Sequence, residues 1–227
     1  MNLVSMLPIA VLGGVLGLDV VTFPQAMLAR PLVAATVAGA FAGNAMAGLF
    51  IGAILELIAL ETLPFGASRY PEWGSASVVG GAVYASQPGP PSSALAAGVL
   101  AALLTAMVSG GSMVTLRRMN ATRAARLQPQ LDAGSSSAVA SLQLFGLTAD
   151  LVRGIIVTLG GLIVFAPLTA AIVGSWHGNE ELTRAIVAAI AAAVAAGAVW
   201  KIFHVVPRAR LLFVAGALAG AGILLQR

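Results

Sequence analysis

The sequence predicts an all-α integral membrane protein with about six or seven membrane elements, some of them broken or re-entrant. Three observations predict it. The 227 residues are 59% hydrophobic and only 9% charged, where a soluble domain carries about 25% charged residues. Apolar runs of near-spanning length recur along the whole chain, which leaves room for a single membrane domain over residues 1–227 and no separate soluble one. The arginines gather in two connecting stretches, the asymmetry that the positive-inside rule links to the cytoplasmic face.

The same composition excludes several functions. The net charge of +4 comes almost wholly from arginine, so it reflects loop asymmetry rather than nucleic-acid binding. With no cysteine, the chain has no disulfide, iron–sulfur cluster or thiol nucleophile. The two histidines, His177 and His204, are far apart, and no His–carboxylate spacing resembles a metal site, so neither metal nor cofactor is expected.

Taken in order, Leu3 to Leu18 is a first apolar run, retained because no basic n-region or small-residue cleavage site marks a leader. It falls short of the ~20 residues of a straight span, and Asp19 ends it. Gly13 and Gly17 form a small-xxx-small pair that lets a helix approach closely. Pro24 breaks the chain. Arg30-Pro31 starts a second span, proline being tolerated in a first helical turn. Within it Gly39 and Gly43, then Gly48 and Gly52, form two GxxxG steps for helix packing. Glu56 follows Gly52 by four residues, so it extends the glycine stripe that a neighbouring helix covers. Pro64 ends this span near Glu61 or Thr62, and Phe65 to Ser68 reads as irregular backbone.

Gly74 to Ala85 is too short to cross alone and fits the returning half of a broken element. Gln87 to Pro91 is a rigid turn, and Ala94 to Leu116 a full span. Arg117, Arg118, Arg123 and Arg126 then open the longest water-facing loop, on the cytoplasmic side. Ser141 to Phe145 is a short interfacial or broken element. Asp150 and Arg153, three apart, pair ahead of a span from Gly154 to Val173. Trp176 to Glu181 lies outside, Arg184 to Trp200 returns, and Lys201 to Arg210 is a second basic loop. Leu211 to Leu225 is the last run.

Carboxylates at membrane depth are expensive and mark pathways or binding sites. Glu56 is the leading candidate, against the plainer reading that it pairs with an arginine or caps a broken helix. Glu61 stands either at such a site or at a helix end in water. Glu72, beside Trp73, is either a site acid with an aromatic face or a boundary residue. Arg69 holds a carboxylate charged, touches a hydroxyl, or snorkels. Gly66 and Ala67 let backbone amides approach a ligand, or form an ordinary turn. Gln25 and Arg30 shape the entry to the second span rather than touch a solute.

From Gln25 to Glu72 the chain resembles the IIC membrane component of the sugar phosphotransferase system, mannose/fructose/sorbose family. The matching pieces are Gln25, Arg30-Pro31-Leu32-Val33, Gly43-Asn44, Gly48-x-x-x-Gly52, Leu55-Glu56-Leu57, Leu63-Pro64-x-Gly66-Ala67 and Pro71-Glu72, with a fainter match at Ser141-Leu142-Gln143 and Arg153. Asn44 stands where the family commonly has aspartate, Glu61 where it has a small or apolar residue, and Glu72 where it has aspartate or asparagine.

The resemblance implies a scaffold plus a mobile core with re-entrant loops, in a bacterial inner membrane. It implies translocation of a hexose-type sugar, phosphorylated by a soluble IIB partner fed by IIA. It also implies a IID-like membrane subunit and a trimeric assembly. The chain itself would not be an enzyme. On this reading Glu56, Glu61, Gly66, Ala67, Arg69 and Glu72 contact the sugar. The alternatives are a proton- or ion-coupled small-solute transporter with Glu56 and Glu61 as carriers, and a transport-inactive regulatory remnant of the system.

Overall fold

A computed structural model describes residues 1–62 and 70–225, with the side chains of the last two of these left aside. The described residues form eight helices: α1 (Leu3–Leu18), α2 (Pro31–Phe41), α3 (Ala45–Ala59), α4 (Trp73–Ala85), α5 (Ser92–Asp132), α6 (Ser136–Ser175), α7 (Glu180–Phe203) and α8 (Ala209–Leu225). Of these α5, α6 and α7 are long and apolar enough to cross a membrane.

The second expected span is two helices rather than one. Gly43 adopts φ +93°, a conformation costly for any residue with a Cβ, and Asn44 caps α3 by accepting the N–H of Ala47 at 3.0 Å. The chain therefore reverses, and α3 returns antiparallel along α2. A Cβ on Gly48 would lie 2.4 Å from the Ala35 carbonyl and one on Gly39 2.7 Å from the Gly48 Cα, so the two helices touch backbone to backbone. Gly52 faces Pro31 and Leu32 one turn further on. Gly43 does no packing; it makes the turn.

The central helix is α4, with every residue from Trp73 to Ala85 buried. A helix apolar on all sides is stable only when surrounded, and two clusters surround this one. Trp73, Ala76 and Tyr84 pack with Ile51, Ile54 and Leu55 of α3 and Leu95 of α5. Val78, Val79, Ala82 and Val83 pack with Met6, Ile9 and Leu16 of α1, Ala34 and Ala38 of α2, and Leu162 of α6. A Cβ on Gly13 would fall on Thr158 of α6 and one on Gly17 on Ser75 of α4, so the first helix is wedged against both.

The expected long loop after Leu116 is helical instead. Helix α5 runs for 41 residues and α6 for 40, joined at Gly134 with φ +74°. At 1.5 Å per residue each is about 60 Å long, twice the hydrocarbon thickness, so the arginine-bearing half of the hairpin projects beyond it. Arg, Gln, Ala, Leu and Met between 117 and 131 are good helix formers; their polarity indicates water, not irregular backbone. Ser141 to Phe145 is accordingly part of α6. Helix α7 buries only Ala191, Ala195 and Ala198. No described side chain of α8 is buried; Phe213 meets Trp200 edge-on at 5.7 Å.

Candidate functional site

Four helix ends converge on one cavity of ≈250 Å³, somewhat below the about 300–1,000 Å³ of ligand sites. Asp19 and Val20 follow the C-terminus of α1, and Arg30 and Pro31 open α2. Ala59 and Thr62 close α3, and Tyr70, Pro71 and Trp73 lead into α4. The 19–30 segment supplies Gln25, Met27 and Ala29 as well.

Asp19 builds that segment. It is 4% exposed, and its two carboxylate oxygens accept the N–H groups of Ala26 at 2.6 Å and Ala29 at 2.8 Å. A carboxylate has about four acceptor positions, so capacity remains for a ligand. Gln25 and Met27 hold φ +59° and +62°, left-handed conformations that are uncommon for such residues and gather at functional sites. The Gln25 amide donates to the Val21 carbonyl at 2.9 Å.

Arg30 is held from behind. Glu56 Oε1 accepts from Arg30 Nε at 2.6 Å and from Nη2, while Oε2 accepts the Leu32 N–H at 3.1 Å. The carboxylate so caps the first turn of α2 and fixes the guanidinium plane of Arg30, a residue of the cavity wall. Two aromatic side chains line the cavity as well. Trp73, 8% exposed, donates its indole N–H to Thr62 at 2.9 Å. The Tyr70 hydroxyl accepts from Arg117, whose guanidinium lies 5.1 Å over the ring.

Behind this wall runs a buried polar chain. Glu72, fully buried, caps α4 by accepting the Ser75 N–H at 3.0 Å and accepts the Ser109 hydroxyl at 2.5 Å. Ser109 in turn accepts from Arg153 Nη1 at 2.8 Å. Arg153 pairs with Asp150 at 2.8 Å, as their spacing predicts, and Asp150 accepts from Thr22. The chain thus links α4, α5 and α6 back to the 19–30 segment.

None of the described residues expected to contact a solute lines the cavity. Glu56 holds Arg30, and Glu72 caps α4. Glu61 pairs with Lys201 of α7 at 2.6 Å, on an exposed face. Gly66, Ala67 and Arg69 lie outside the described residues. Conversely, Gln25 and Arg30 line it, although expected only to shape the span entry, and so does Asp19, expected only to end the first run. The available signal for Asp19 was an acid between two apolar runs. Among the described residues no three His, Cys, Asp or Glu side chains converge.

In the cavity wall, guanidinium donors, carboxylate and amide acceptors and two aromatic faces stand together, a set suited to a neutral polyhydroxylated solute.

The family described as the PTS system sorbose-specific IIC component matches residues 3–176. No curated protein matches. A solved structure described as that of a membrane protein has a TM-score of 0.75 at 19% identity, covering 99% of this chain and 92% of that one. The mannose transporter ManYZ, solved by cryo-EM in complex with microcin E492, has a TM-score of 0.62 at 17% identity, with the same coverage of 99% and 92%. At these identities the two structures speak for the fold.

Proposed function

Because the chain belongs to the family of PTS sorbose-specific IIC components, we propose that it translocates a hexose-type sugar across a bacterial inner membrane, held on the way in the cavity at the four helix ends. The supporting observation is that Asp19, Gln25, Arg30 and Trp73 line one cavity. The sugar's hydroxyls donate to Asp19 and the Gln25 carbonyl and accept from Arg30, while its C–H face lies against the indole. Glu56 is a positioning residue, acting through Arg30.

The chain is a multi-pass transport component. Phosphoryl transfer falls to soluble IIA and IIB partners working at the arginine-bearing, cytoplasmic end. A IID-like membrane subunit and a trimeric assembly complete the carrier, the first supported by the likeness to a mannose transporter. The α2–α3 hairpin meets α5 and α6 chiefly through α4, which suits its movement as a core against them. The ion pairs of Glu56 and Glu61 weigh against proton carriage by either.

The test is binding of radiolabelled mannose and sorbose by the solubilised chain with its IID-like partner. Arg30→Gln and Trp73→Ala each weaken binding of the sugar recognised at least tenfold. Unaltered binding by both variants overturns the assignment.

A further inference from the structure

A second cavity, of ≈580 Å³, lies on the other side of the 19–30 segment. Val20 lines the first cavity, and its neighbours Val21 and Thr22 line the second. Tyr70 lines the first, and Arg117, which donates to its hydroxyl, lines the second. The two cavities therefore share a partition. It is fastened at two points, by Thr22 to Asp150 and by Arg117 to Tyr70.

The second cavity is not simply apolar space. Met113, Leu116, Leu142 and Leu147 line it together with Asn120, Gln143, Arg117 and Asp150. The Asn120 Oδ1 is buried with no hydrogen-bond partner. Such atoms are rare in folded proteins and ask for an explanation; a ligand hydroxyl donating to it supplies one. The cavity lies between the facing stretches of α5 and α6 that lead toward the arginine-bearing end of the hairpin. The opposed charges of Arg117 and Asp150 in its wall, the latter already paired with Arg153, together with two amides suit a neutral polyol.

Resting on the reading of the first cavity as the sugar site, we infer that the second cavity is a separate, exit-side site for the same sugar, with Asn120 and Gln143 as its amide contacts and the Val20–Thr22 stretch with the Tyr70–Arg117 pair as the gate between them. The sugar is thus held twice, first between four helix ends and then between α5 and α6.

The absence of cysteine makes a clean test possible. A Cβ on Gly146, which lines the second cavity, would meet Asn120 at 3.6 Å, ordinary contact, so Gly146→Cys places its Cβ without displacing a neighbour. The variant is prepared with its IID-like partner in vesicles and plugged with a bulky methanethiosulfonate, later removed by dithiothreitol. Each preparation is its own control. Uptake of radiolabelled mannose or sorbose is expected to fall at least tenfold on plugging and to recover on reduction, while sugar affinity at the first cavity stays within threefold. The thiol is expected to react from the arginine-bearing face, at least threefold slower under saturating sugar. Unchanged uptake after plugging, a thiol that no reagent reaches, or affinity lost together with uptake overturns the inference. Failure of both sugars to bind before any modification instead strikes the reading of the first cavity.

Discussion

Glu56→Gln probes the site where its geometry is tightest. The substitution keeps one carbonyl acceptor for the Leu32 N–H but removes the charge that holds Arg30 through two donors. A fully buried pair broken on one side costs about 3–5 kcal/mol, and an exposed one about 0.2–1 kcal/mol. Here the side chains are 34% and 22% exposed, so the loss falls between, about 1–2 kcal/mol. Since 1.4 kcal/mol is about tenfold in affinity, the most this loss can take from sugar binding is roughly 5- to 30-fold, through a guanidinium no longer held in one plane. A double-mutant cycle with Arg30→Gln reads this directly. If Glu56 acts only by aiming Arg30, the two losses are not additive, and the double variant binds about as weakly as Arg30→Gln alone. Additive losses, or unaltered binding by Glu56→Gln, would refute the positioning role.

Other consequences follow from particular contacts. Gly48→Ala drives a methyl against the Ala35 carbonyl, 2.4 Å from the new atom; it lowers stability by about 1–3 kcal/mol, seen as an earlier thermal melt of the solubilised protein. Ser109→Ala removes the hydroxyl joining Glu72 to Arg153 and costs about 1–3 kcal/mol, with Ser109→Thr recovering part of it in the same melt. Glu61→Gln breaks only an exposed pair with Lys201, worth up to about 1 kcal/mol; sugar affinity stays within threefold, and a larger loss would return Glu61 to the site.

Much of this arrangement was legible before any coordinate. Glu56 follows Gly52 at the helical step of four, and both lie on the α2-facing side of α3. The turn at Gly43-Asn44 was harder to see. Hydropathy runs unbroken through it, and only the local chemistry of a glycine followed by a capping asparagine marks the reversal. The helical continuation past Leu116 is obscured because clustered positive charge resembles a loop, whereas helix propensity at those residues argues the other way. The lining role of Asp19, Gln25 and Arg30 depends on long-range closure. The ends of α1, α2, α3 and α4 must meet before those three side chains share a cavity, and no spacing along the chain encodes that meeting.

The most direct measurement is a cryo-EM map of the chain with its IID-like partner under saturating mannose or sorbose, whichever binds. The account predicts sugar density among Asp19, Gln25 and Arg30 with one ring face on Trp73. Density seated instead against Glu61 and Lys201, or a first cavity left empty in a complex with measured sugar bound, would contradict it.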